Sequence, residues 1–173
     1  MLNYQAGDAA AFECLYARHK GPLFRYFQRQ LVAQPELANE LFQDVWMKLI
    51  NSIDRYQPSA RFTTYLYRIA HNRLVDHWRA MRIDDPLDEE QLTDTVGSAP
   101  EQQLAGQQLQ QQFEQALAAL PMEQRNAFLL KEESHFSLQE IADITGTSRE
   151  TVKSRLRYAC QRLRQALAHH YEH

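Results

Sequence analysis

Apolar residues recur along most of this chain at the three- and four-residue spacing of amphipathic helices, and the pattern fails over only one long stretch. In PELANELFQDVWMKLINSI, the positions Leu37, Ala38, Leu41, Phe42, Val45, Trp46, Leu49 and Ile50 form a wide apolar stripe. Asn39, Glu40, Gln43, Asp44, Lys48 and Asn51 stand opposite it. The stripe predicts core, and the clustering of Glu40, Gln43 and Asp44 on adjacent turns predicts a polar face able to meet a basic partner. The next segment, RFTTYLYRIAHNRLVDHWR, turns Leu66, Ile69, Ala70 and Leu74 inward and sets Arg68, Asn72, Asp76 and Arg79 along another side.

Residues 137 to 167 carry two helices in quick succession. Ser137 with Glu140 is a capping-box start, Leu138, Ile141, Ala142 and Ile144 give a short apolar face, and Gly146 ends it. Thr147 with Glu150 reads as a second capping box, after which Val152, Leu156, Ala159, Cys160, Leu163 and Leu167 recur at helical spacing. Two helices joined by so short a turn cross steeply. They predict a helix-turn-helix whose second helix, from Ser148 to Arg157, projects as a ridge fitting the DNA major groove.

Between these regions the chain changes character. MRIDDPLDEEQLTDTVGSAPEQQ lacks sustained apolar periodicity and carries seven acidic residues against Arg82 alone. It predicts an acidic linker, after which Leu109, Phe113, Leu117 and Leu120 restart a helix and Pro121 opens the following one. Plentiful Leu, Ala and Gln, with five Gly and six Pro in 173 residues, favour helices over strands. The expected fold is all-α, with two small helical domains at residues 1–80 and 109–173 joined by a linker over 81–108.

Charge sharpens this picture. The whole chain is −3, yet from Thr147 to Gln165 it holds Arg149, Lys153, Arg155, Arg157, Arg162 and Arg164 against Glu150 alone. One basic helix on a slightly acidic body suggests a docked, oriented nucleic-acid contact rather than indiscriminate polyanion binding. Near the Arg68 and Asn72 face lie Phe62, Tyr65, Tyr67 and Trp78, which offer flat surfaces for unpaired bases beside cations for phosphates and an amide for a base edge. Aromatics at helical spacing also serve as core, and that alternative stays open.

Other chemistry is not indicated. Glu, Asp and His occur without a convergent nucleophile, base and orienter; no Gly-rich phosphate loop or metal-spaced Cys and His set appears. No enzyme activity, cofactor, metal or small-molecule substrate is therefore expected. Cys14 and Cys160 suggest neither a disulfide framework nor a redox pair. With no secretory signal in MLNYQAGDAA and no apolar run near the ~18 residues of a membrane span, the expectation is a cytoplasmic protein without direct membrane insertion.

Taken together, FECLYARHKGPLFRYF, ANELFQDVWMKL and FTTYLYRIAHNRLVDHWR resemble, in order and spacing, the second conserved region of the extracytoplasmic-function sigma factors of the sigma-70 family. LPMEQRNAFLL and FSLQEIADITGTSRETVKSRLRYACQRLRQAL resemble the fourth region. The resemblance covers nearly the whole chain. It implies a subunit that binds core RNA polymerase and promoter DNA, and it implies an anti-sigma factor as a further partner. Position by position, it places Glu40, Gln43 and Asp44 where the family grips core polymerase. Phe62, Tyr65, Arg68, Asn72 and Asp76 fall where it opens the minus-ten element, with Asn72 as a reader of a flipped base. Ser148, Arg149, Glu150, Thr151, Lys153, Ser154 and Arg155 fall in the helix reading the minus-thirty-five element. Tyr65 stands where members often carry Trp, and the first helix begins close to the amino terminus. Two rival readings remain from the residues alone: a conventional helix-turn-helix regulator acting without polymerase, and an adaptor whose helices bind only proteins.

Overall fold

A computed structural model describes residues 1–84, 104–132 and 134–168, and every regular element among them is a helix. A single turn, α1 (Leu2–Gln5), leads into the long α2 (Ala9–Gln30), which starts where the Asp8 carboxylate accepts the amides of Ala10 at 3.0 Å and Ala11 at 3.3 Å. Helix α3 (Pro35–Asn51) opens on proline, whose missing N–H costs nothing at a helix start. A 3₁₀ turn at Ile53–Arg55 connects it to α4 (Phe62–Asp84).

The predicted stripes are the buried ones. Ala38, Leu41, Val45, Trp46 and Leu49 of α3 face Leu66, Ile69, Ala70 and Leu74 of α4, and Leu23, Tyr26 and Phe27 of α2 close the first lobe. Each fully buried leucine contributes roughly 1.5–3 kcal/mol of transfer free energy, so these helices are held by packing rather than by propensity. The pattern of apolar positions extends into the second lobe, built from α5 (Leu104–Ala118), α6 (Met122–Glu132), α7 (Leu138–Thr145) and α8 (Arg149–Ala168). There α8 packs against α5, α6 and α7 through Val152, Ala159 and Leu163.

Several boundaries differ from the sequence expectation. Helix α4 continues to Asp84, past the expected limit at residue 80, and α5 begins at Leu104, ahead of residue 109. Helix-compatible residues on both sides, such as Ala80, Met81 and Ala105, extend the elements into the stretch assigned to the linker. The acidic segment 85–103 lies outside the described residues. Leu109, placed on the apolar stripe of α5, is exposed, whereas Leu117 and Leu120 are buried.

The capping box at Ser137 is present in full. The Glu140 amide donates to Ser137 Oγ at 3.2 Å and the Ser137 amide to Glu140 Oε2 at 2.9 Å. The second box does not form, and a simple cap stands one residue further on. Ser148, not Thr147, caps α8, accepting the Thr151 amide at 3.1 Å, while Thr147 Oγ1 instead meets Thr145 Oγ1 at 2.9 Å. The cause lies in the turn: Gly146 takes a left-handed φ of 66°, and the amides of Gly146 and Thr147 both return to the Ala142 carbonyl, spending Thr147 on closing α7.

A Cβ added at Gly146 meets nothing within 4 Å, so only backbone strain opposes a substitution there. Gly146→Ala is expected to lower stability by about 1–2 kcal/mol, and Gly146→Asn by less, as read by urea unfolding. An alanine variant as stable as the parent would show that the left-handed turn is not retained in solution.

The two lobes touch. Helix α7 lies along α4, and α2 meets α5 and α6, so the buried residues of both lobes belong to one apolar cluster. The rings of Tyr67 and Phe136 bridge it with centroids 5.1 Å apart.

Candidate nucleic-acid interface

Three groups of residues make up the candidate surface, and each is set by a different helix. On α3, Glu40 and Gln43 are exposed and Asp44 is half-buried, because Asp44 lies nearer the α4 side of the helix and forms an ion pair with Arg73. Met47, 55% exposed, sits one turn beyond Gln43 on the same face. The sequence signal for Met47 is an apolar residue that falls off the buried stripe. Arg73 carried no such signal, since its pairing with Asp44 joins positions 29 residues apart.

On α4, Arg68, Asn72 and Asp76 all face solvent, consistent with their polar side of the helix. Arg68 and Asn72 line one wall of a polar cleft of about 520 Å³, whose other wall is the end of α7 and its turn, from Ala142 to Thr147. The aromatic residues nearby point elsewhere. Phe62 is half-buried with its ring 5.3 Å from that of His19; Tyr65 packs on Tyr56 at 5.1 Å, and its hydroxyl lies 2.9 Å from Ser52 Oγ. Tyr67 is buried in the core against Tyr26 and Phe136. In this arrangement the rings support the helix, and the open polar groups are Arg68, Asn72 and Asp76.

On α8, the seven singled-out residues divide. Arg149, Lys153 and Arg157 follow one another at intervals of four, all exposed, and form a continuous basic row. Glu150 and Ser154 are exposed beside this row, while Thr151 is half-buried and its hydroxyl meets Ser148 Oγ at 2.8 Å. Arg155 turns back toward the body of the lobe, where it pairs with Glu123 of α6 at 3.4 Å with only 22% of its side chain exposed. Tyr158 adds an exposed ring beneath the Arg157 guanidinium, 5.0 Å from centroid to carbon. Six cations on one helix repel one another, and the Glu123 pairing offsets the charge of one of them, Arg155.

Glu140, which caps α7, accepts Arg61 from the start of α4 at 3.3 Å. Its carboxyl is held below the usual carboxylate range, first by the Ser137 amide and then by the Ser137 and Arg61 side chains. Among the described residues no cluster of His, Cys, Asp and Glu is arranged to hold a metal, and no helix is long and apolar enough to cross a membrane.

An acidic-faced α3, a polar α4 and a basic helix-turn-helix therefore follow one another in a single chain, the order in which two described regions match. Residues 15–82 match sigma-70 region 2, and residues 110–163 match sigma-70 region 4. The chain is 30% identical over 168 residues to the RNA polymerase sigma factor CarQ of Myxococcus xanthus, covering 96% of this chain and 95% of that protein. It belongs to the extracytoplasmic-function sigma factors of the sigma-70 family. The ECF sigma factor RpoE of Cereibacter sphaeroides is 32% identical, covering 93% of this sigma factor and 88% of that one. Among solved structures, the sigma factor RpoE of Bartonella quintana, crystallised with the anti-sigma factor NepR, superposes with a TM-score of 0.72 at 25% identity, covering 91% of this chain and 97% of that one.

Proposed function

We propose that this chain directs promoter-specific initiation by bacterial RNA polymerase, using its first lobe to bind the core enzyme and the melted minus-ten strand and its second lobe to read the minus-thirty-five duplex. The observation that carries the reading is the joint match of both sigma regions, in order, to a chain whose exposed polar residues form matching surfaces on α3, α4 and α8. A conventional helix-turn-helix regulator accounts for α7 and α8 but gives no reason for the acidic α3 face or for the region 2 match.

In this mechanism Glu40 and Gln43, with Met47 one turn further along the same face, contact a basic helical surface on the polymerase, and Arg73 holds Asp44 in place beside them. Arg68 neutralises phosphate on the separated strand, Asn72 hydrogen-bonds an extruded base, and Asp76 faces outward on the next turn. Extruding a base costs a few kcal/mol of stacking, which these contacts must offset. Phe62 and Tyr65 stand at the start of this surface and supply stacking once their present contacts are released. Arg149 and Lys153 enter the major groove at the amino-terminal end of α8 with Glu150, Thr151 and Ser154 as base or backbone partners, while Ser148 fixes the helix start. The chain acts as a cytoplasmic binding subunit without catalysis of its own, and an anti-sigma factor is the proposed regulator.

The direct test is assembly. Purified chain mixed with sigma-free core polymerase is expected to co-elute on gel filtration as a one-to-one complex. Elution as a separate small protein at micromolar concentrations of both would defeat the proposal and favour the regulator reading.

A further inference from the structure

Helix α1 is a single turn, and the residues after it fold it back onto the connection between α3 and α4. Gly7 takes a left-handed φ of 100°, and the amides of Gly7 and Asp8 return to the carbonyls of Tyr4 at 2.9 Å and Asn3 at 3.0 Å. The Tyr4 ring anchors the turn 5.1 Å from that of Phe12. Gln5 thereby faces the 3₁₀ turn at Ile53–Arg55. Its Nε2 donates to the Ile53 carbonyl at 2.9 Å and to the Tyr56 carbonyl at 3.2 Å, 48 and 51 positions away in sequence. An amide carries two N–H donors, so both serve this one turn.

The same turn carries both partners of Tyr65, Ser52 just before it and Tyr56 just after. The Ser52 hydroxyl donates to the Leu49 carbonyl at 3.2 Å, which leaves its oxygen to accept the Tyr65 hydroxyl at 2.9 Å. From the other end, the buried Tyr56 ring meets the Tyr65 ring at 67°. Tyr65 is thus bracketed, and Gln5 ties the bracket to α1.

We propose that Gln5 is a positioning residue for strand capture: it fixes the turn that holds Tyr65, and so sets the free-energy cost of swinging that ring toward an extruded base. This role rests on the sigma-factor reading, because the position of Tyr65 has a consequence for DNA only if α4 receives a melted strand. A short 3₁₀ turn has poor internal hydrogen-bond geometry and relies on contacts from outside. Within the turn the Arg55 amide donates to the Ser52 carbonyl at 3.0 Å and the Tyr56 amide to the Ile53 carbonyl at 3.1 Å; Gln5 adds the outside contacts. When the turn loosens, Ser52 and Tyr56 no longer stand at a fixed separation and Tyr65 is freed from both. Apparent affinity for a strand scales with the fraction of chains whose ring is already free. The bracket therefore lowers capture of every strand by one factor, and only well-matched strands stay bound.

Gln5→Met keeps the length of the side chain and removes the donor, while Ser52→Ala removes the hydroxyl partner of Tyr65 without touching α1. Each is assembled with core polymerase and titrated, by fluorescence anisotropy, with the labelled minus-ten single strand of a promoter that the wild-type chain transcribes. Both variants are expected to bind that strand about three- to tenfold more tightly than wild type, the equivalent of one ordinary hydrogen bond. Affinity for core polymerase and helicity by circular dichroism should be unchanged. In a Tyr65→Ala background neither substitution is expected to alter strand binding, because the residue they act through is gone. A Gln5 that merely stabilised the lobe would, when replaced, weaken strand and core binding together or reduce helicity, and either result overturns the proposal. Unchanged strand affinity in either variant overturns it too, as does a Gln5→Met effect that persists in full without Tyr65. If the wild type transcribes no promoter at all, the sigma-factor reading fails and this role with it; if it does transcribe and Gln5→Met binds the strand as wild type does, the positioning role alone fails.

Discussion

Glu40→Lys combined with Asp44→Asn is expected to weaken binding to core polymerase on the order of 100-fold, because a like charge placed in a complementary interface costs several kcal/mol. Asparagine is chosen at position 44 because Arg73 pairs with Asp44; a cation there would repel Arg73 and confuse loss of fold with loss of contact. Glu40 is exposed, so its reversal leaves the core of the first lobe untouched. Circular dichroism should show unchanged helicity, while gel filtration with core polymerase shows no complex. Retained co-elution would remove α3 from the polymerase interface.

The second large effect is expected from Arg149→Ala with Lys153→Ala. Both side chains are exposed at the start of the basic row on α8, and each bidentate base contact contributes about 1–3 kcal/mol of discrimination. Loss of both should reduce initiation at promoters that depend on the upstream element by at least about 30-fold. If the two contacts reach phosphates instead, affinity falls uniformly across sequences, and the salt dependence of binding drops by nearly two phosphate equivalents. Arg155→Ala serves as the contrast. Its guanidinium pairs with Glu123 inside the lobe, so the expected effect on DNA binding is smaller. Equal losses for all three substitutions would mean that α8 turns a different face to DNA.

The legible parts of this chain were those governed by local periodicity. The stripes on α3 and α4, the capping box at Ser137 and the left-handed Gly146 were all readable because each follows from residues within a few positions of one another. The start of α8 was placed one residue early, because Thr147 and Ser148 are both competent caps and the choice depends on how the Gly146 turn closes. The orientation of Tyr65 and Tyr67 was not readable: both sit on one helix near polar residues, yet their partners Tyr56, Tyr26 and Phe136 come from other elements.

The same limit applies to the site. That Arg149, Lys153 and Arg155 differ in exposure depends on Glu123, and that Asp44 is held depends on Arg73. Gln5 gave no sign at all. It lies in MLNYQAGDAA as an ordinary polar residue, and only the folding of α1 back onto the 3₁₀ turn brings its amide to the carbonyls of Ile53 and Tyr56.

Run-off transcription with sigma-free core polymerase, this chain and a library of promoter templates examines the central claim most directly. The account predicts transcripts that require the chain and start a fixed distance downstream of one shared pair of sequence elements. Transcription no higher with the chain than without it, across the whole library, would contradict the account.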